Sequence, residues 1–160
     1  MLSQTTKKLF ALLTITPATL AAPNTAVPKG FDVAPFAPAT PEQGAFTQCS
    51  AMSHQQGNLA HTADMPDCLG IGEWAKEHNG EWILKANTAG DDWHILRTQG
   101  TCALVVRTTA PTSVGNQDVV DMMAAVHLHH TQLGPVEEVG TFGECQGGAA
   151  VSFWLRSSNF

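Results

Sequence analysis

Four cysteines constrain this chain more than any other feature: Cys49, Cys68, Cys102 and Cys145. The number is even, and no pair has the CxxC spacing of a zinc knuckle or a thioredoxin-like redox motif. What the thiols become depends on the compartment, which the first residues indicate. Lys7 and Lys8 precede the apolar run Leu9 to Ile15, and small residues follow at Ala18-Thr19-Leu20-Ala21-Ala22. A basic start, a short apolar run and a small-residue exit describe a secretory signal peptide. The run is too short to span a bilayer. We place cleavage after Ala21, making residues 1–21 the signal peptide and the mature protein extracellular. Two disulfides are the default in that setting.

Four cysteines allow three connectivities. Cys68 falls on the apolar face of an expected helix and Cys102 opens an expected central strand. A Cys68–Cys102 bridge would pin one to the other and leave Cys49–Cys145 to tie the N-terminal side to the last strands. We favour this pairing, and the sequence leaves the other two open. Each bridge closes a loop long enough to contribute roughly 3–5 kcal/mol in the chain-entropy account.

Without the signal peptide, six basic residues face fourteen acidic ones, a net charge of −8 with neutral histidines. So acidic a protein is a poor partner for nucleic acid or an anionic membrane. No second apolar run suits stable membrane insertion. From residue 22 to residue 44, Pro23, Pro28, Pro35, Pro38 and Pro41 leave no room for a helix or an inner strand. This segment is expected to be a flexible Pro/Ala-rich arm. Residues 45–160 remain as one domain, its compact part running from about Phe46 to Leu155.

Within that domain, Asp64 is placed to cap a helix with Pro66 in its first turn. Cys68, Ile71, Trp74 and Ala75 recur at spacings of three and four, and Asn79-Gly80 ends the helix. Strands are expected at Glu81–Leu84, Trp93–Arg97 and Cys102–Arg107, with a polar turn from Asn87 to Asp92. A second helix follows Pro111. Ser113 or Asn116 can cap it, Asp118 and Asp121 suit its positive end, and Val119, Met122 or Met123, Val126 and His130 follow helical spacing. Strands close the chain at Glu137–Phe142 and Ala149–Leu155, separated by a Gly147-Gly148 turn. The order predicts an α+β two-layer sandwich: a mainly antiparallel sheet with two helices on one face, stabilised by disulfides.

Few residues suggest chemistry. His127, His129 and His130 resemble ligands, but on a helix 127 and 129 point roughly 200° apart. Positions 127 and 130 are neighbours and supply only half a zinc site, with His54 and His61 available from a loop. No nucleophile elbow, zincin, phosphate-binding or dinucleotide motif occurs. Asp91-Asp92 and Glu137-Glu138 read as solvated pairs. Trp74, Trp82, Trp93 and Trp154 each lie in an apolar segment and are expected to pack in the core; a glycan platform would need them exposed and coplanar. We expect no catalytic residue, cofactor or metal. The alternatives are a hydrolase with a carboxylate or histidine site assembled in space, and a histidine-based metal binder.

Three motifs carry a resemblance: Gly100-Thr101-Cys102-Ala103-Leu104-Val105-Val106, then Val114-Gly115-Asn116-Gln117-Asp118-Val119-Val120-Asp121, then Gly140-Thr141-Phe142-Gly143-Glu144-Cys145 with Val151-Ser152-Phe153-Trp154. Asp67-Cys68-Leu69 fits upstream. In this order they are similar to the fungal effector domain of the extracellular-protein-two, necrosis-inducing-factor family, over about Gln48 to Leu155. The resemblance implies a secreted, disulfide-bonded, monomeric effector that binds a host or competitor protein, such as a channel or receptor. Some members resemble the killer toxins of smut fungi, which are two-layer α/β sandwiches. No catalytic residues carry over. Leu104 stands where an aromatic is usual, and the histidines after Val126 are outside the pattern. Asn116 and Asp118 are therefore candidates for one of two roles, a helix cap or contacts to a target.

Overall fold

The computed structural model describes residues 29–87, 92–130 and 134–160. The expected signal peptide lies outside the described residues. The strands, in chain order, are β1 (Phe31–Val33), β2 (Phe36–Pro38), β3 (Met52–Gln56), β4 (Ala63–Asp64), β5 (Gly80–Leu84), β6 (Trp93–Gln99), β7 (Cys102–Thr108), β8 (Thr112–Gly115), β9 (Pro135–Val136), β10 (Glu138–Glu144) and β11 (Ala150–Ser157). The helices are α1 (Met65–Glu77) and α2 (Asn116–His129).

Alternation along β7 decides the layering. Cys102, Leu104 and Val106 point one way, Ala103 and Val105 the other, and all five are buried. The first set joins the main core with Ile71 and Ala75 of α1, Val119, Met122 and Val126 of α2, and Phe142, Phe153 and Leu155 of the neighbouring strands. The second set forms a smaller cluster with Ile95, covered by Phe31, Trp93 and Trp154 and by no helix. Both helices thus lie on one face of the large sheet. Its order is β1-β6-β7-β11-β10-β3, antiparallel except for the β1–β6 pair. A second sheet, β2-β5-β8, brings Trp82, Leu84 and Val114 to the main core. The small β4-β9 pair completes an α+β fold with mainly antiparallel sheets.

The flexible arm expected for residues 22–44 requires correction where it is described. Residues 31–33 and 36–38 are β1 and β2, each at the edge of a sheet. An edge strand can do without some ladder donors, so Pro38 is tolerated in β2, and Pro35 falls between the two strands. Phenylalanines hold both strands down. Phe31 covers the smaller cluster. The Phe36 ring lies 5.2 Å from that of Trp74 and 4.9 Å from that of Trp82, in edge-on contacts.

Helix α1 begins after Asp64 as the cap signal suggests, but the Asp64 side chain makes no capping bond. Asp67, in the first turn, has the larger role. Its Oδ2 accepts the Thr101 N–H at 2.7 Å and the Thr101 Oγ1–H at 2.8 Å. Thr101 Oγ1 in turn accepts the Asp64 N–H at 2.9 Å. The helix start is thereby tied to the tight turn at Gly100-Thr101 beside the Cys68–Cys102 disulfide. The backbone bond from Thr101, then its hydroxyl bond, pull the Asp67 carboxyl below its ordinary value of 3.8. A depressed folded-state value contributes stability that is present above 3.8 and lost as pH falls through the folded value. Asp67→Asn is therefore expected to be less stable than the parent near pH 6. The gap should close on acidification, and urea unfolding at a series of pH values would test this; a gap constant down to pH 2 would contradict it.

The Cys49–Cys145 disulfide joins the segment before β3 to the end of β10. With Cys68–Cys102, every cysteine is paired.

Candidate functional site

The Val114–Asp118 motif is where three separate segments meet. Residues 112–115, expected to lead into the helix, are strand β8, paired with β5 through Gly115↔Glu81 to Thr112↔Leu84. Ser113 is buried in that strand and donates to Gln146 Oε1 at 2.9 Å, so it does not cap α2. Gly115 occupies the cap position at a φ of −81°, which any residue can adopt. The glycine is needed for space: a Cβ there would strike the Phe46 carbonyl oxygen.

Asn116 is the first residue of the helix and is only 1% exposed. Its Oδ1 accepts the N–H groups of Phe46 at 2.8 Å and Gly80 at 3.2 Å. Its Nδ2 donates to the Ala75 carbonyl at 3.0 Å, at the end of α1. Asn116 is thus a clamp between the 46–49 segment, the start of β5 and the end of α1, where a cap had been expected. Asp118, 6% exposed, does serve its own helix by accepting the Gly115 N–H at 2.8 Å. It also accepts the N–H groups of Gln48 at 2.9 Å and Cys49 at 3.3 Å. Burial pushes its carboxyl above 3.8, opposed by those three N–H bonds, while nearby Asp121 adds to the rise. Both side chains are buried.

The Glu137-Glu138 pair, expected to be solvated, is almost completely buried, at 1% and 0% exposure. The two carboxylates have different partners. Glu137 Oε1 accepts the Trp154 indole N–H at 3.0 Å and Oε2 the His61 N–H at 3.0 Å. Glu138 lies on the helix face of β10 and gathers the histidines. His54 Nδ1 is 3.2 Å from Oε2, and His129 Nδ1 and His130 Nε2 are 2.9 and 2.6 Å from Oε1. His54 comes from β3, not a loop, because its register partner is Gly140, two residues beyond Glu138 on the same face. His129 and His130 arrive from the end of α2. His127 is exposed and His61 lies against Trp154, so neither joins. Adjacent acids give no sequence signal for such burial; only strand register brings these groups together. Asp92 of the other acidic pair is exposed, and Asp91 lies outside the described residues.

The opposite face of the large sheet carries a groove of about 650 Å³ between β3, β10, β11 and β6, lined in part by Gln55, Thr141, Ser152, Trp93, Trp154 and Arg107. Trp93 and Trp154 stand 5.8 Å apart at 59° to each other, which is no flat platform for a sugar ring. The exposed Arg107 guanidinium lies over Trp93 at 4.9 Å, and Arg156 lies over Trp154 at 4.2 Å. Burial lowers the Arg156 value and Glu137 opposes that effect. Of the four tryptophans, Trp82 is fully in the core, donating to the Leu96 carbonyl at 2.9 Å. The other three are half-buried, two of them on this second face.

This combination defines a small α+β protein with two disulfides, whose Val114–Asp118 motif holds separate segments together. The chain belongs to the Hce2 family: a family model described as "Pathogen effector; putative necrosis-inducing factor" matches residues 48–146, more than half of its length. No curated protein matches the chain. No helix among the described residues is long and apolar enough to cross a membrane.

Proposed function

We propose that the protein is a secreted fungal effector that binds a host or competitor protein and does no chemistry on it, using the helix-free face of the large sheet. Family membership supports the effector role. The observation that carries the choice of face is the exposed Arg107 over the half-buried Trp93, beside the half-buried Trp154, in an otherwise acidic molecule. Tryptophan and arginine are the residues most enriched where protein partners bind tightly. Catalysis has little support, since Glu137 and Glu138 have separate hydrogen-bond partners.

The test infiltrates purified, oxidised protein into leaves of several plants and measures ion leakage, with a reduced and alkylated sample as control. Leakage should require intact disulfides. In a responding plant, Arg107→Glu is expected to weaken the response at least tenfold while costing no more than about 1 kcal/mol in urea unfolding, the scale of its lost contact with Trp93. Full potency of that variant would remove this face from the reading. Silence in every plant would move the target to a competing microbe, to be tested by growth inhibition.

A further inference from the structure

Glu138 presents a problem that the effector reading does not solve. A carboxylate with no exposure sits at the end of the core, and among the described residues the only basic side chains within reach are imidazoles. Buried charges are stable when they are paired or when they coordinate metals. Here three imidazole nitrogens converge on one carboxylate from two elements, the β3 edge strand and the C-terminal end of α2. One ligand atom each from His54, His129 and Glu138 lies within 4.8 Å of the others. A zinc ion with ligands at about 2.0–2.1 Å holds them roughly 3.3 Å apart in a tetrahedron. His54 Nδ1 approaches Oε2 at 3.2 Å and His129 Nδ1 approaches Oε1 at 2.9 Å, so the two imidazoles flank one carboxylate from either oxygen, and an ion between them needs only a small opening of the cluster.

We propose that His54, His129 and Glu138 bind one divalent transition-metal ion of the zinc and copper type, with His130 fixing the carboxylate. Two imidazoles and a carboxylate suit these ions better than the hard cations magnesium and calcium, which prefer all-oxygen shells. His130 Nε2, 2.6 Å from Oε1, plays the part of the outer hydrogen-bond partner that orients a ligating carboxylate. The half-exposed His129 side chain leaves the solvent side open for a fourth ligand, which water can supply. The bound ion would join the middle of the β3 edge strand, at His54, to the end of α2. The inference does not rest on the target-binding reading: the Glu138 carboxylate lies on the helix side of the sheet, and His54 also borders the groove on the other side.

Isothermal titration of the oxidised secreted protein with zinc chloride, copper chloride and calcium chloride tests it. One equivalent of zinc should bind with a dissociation constant on the order of micromolar or tighter, copper at least as tightly, and calcium not at all. His129→Ala and His54→Ala should each weaken zinc binding by at least tenfold, while His127→Ala, on an exposed histidine two residues away, should not change it. Circular dichroism checks that the variants are folded, and the half-exposed His129 keeps the test decisive if His54→Ala is not. With cobalt in place of zinc, a tetrahedral visible spectrum should appear in the parent and vanish in His129→Ala. No saturable zinc binding, binding indifferent to both His54 and His129, or equal affinity for calcium would each overturn the site.

Discussion

Asn116→Ala is expected to cost about 3 kcal/mol or more in urea unfolding, beyond the roughly 0.5–2 kcal/mol of a lost helix cap. The difference comes from what the side chain holds. Removing it strands the N–H groups of Phe46 and Gly80 and the carbonyl of Ala75, and the Gly80 and Ala75 bonds are buried. A buried polar group without a partner costs about 1–3 kcal/mol. Asn116→Ser separates the two readings. Serine is a good cap and would restore most of the stability lost from a cap. It is too short to reach three segments at once, so it should rescue little of a clamp. A loss under about 1 kcal/mol, or full rescue by serine, would defeat the clamp. Hydrogen exchange gives a second view: protection should fall first at residues 46–49 and at the start of β5.

Removing the Cys49–Cys145 disulfide with Cys49→Ala and Cys145→Ala together is expected to cost more than removing Cys68–Cys102 in the same way. The two bridges span sequence separations of 96 and 34 residues. In the chain-entropy account these correspond to about 4.7 and about 3.8 kcal/mol. The local consequences point in the same direction. Cys68 lies on α1, which is held to the sheet by a buried face and by Asp67 as well. Cys49 lies on a segment with no regular structure, anchored otherwise by backbone bonds to Asp118 and Asn116. Losing that bridge should release β3 from the sheet edge, read as lost hydrogen-exchange protection at residues 52–56. Equal unfolding midpoints for the two double variants would show that native contacts, and not loop length, set the ranking.

Much of the scaffold is readable in the residues themselves. The α1 face, the apolar run of β7 and the Val151–Leu155 core of β11 have strong periodicity and clear breakers, so local sequence is enough. Helix α2 is readable in its body but not at its start. Thr112-Ser113 resembles a capping signal, yet pairing with β5 draws these residues into a strand. The arm hid β1 and β2 because prolines argue against strands in general and only weakly against edges. Glu137 and Glu138 read as a solvated pair at a strand start and are instead buried. Their burial depends on partners 17 and 84 residues distant, Trp154 and His54, which strand register supplies. The histidine pattern was legible as a helix-end cluster, but the face that mattered contained His129 and His130 and excluded His127.

The position of β11 sets the minimum polypeptide that can fold. The family match ends at residue 146, whereas β11 begins at Ala150 and lies between β7 and β10 in the middle of the large sheet. A fragment trimmed to the matched residues would therefore have a gap one strand wide through its centre. Two sets of unpaired backbone groups would face that gap, inviting insertion of a strand from another molecule. In this chain the matched residues and the residues that fold are therefore different lengths, and the strand at residues 150–157 is the piece between them.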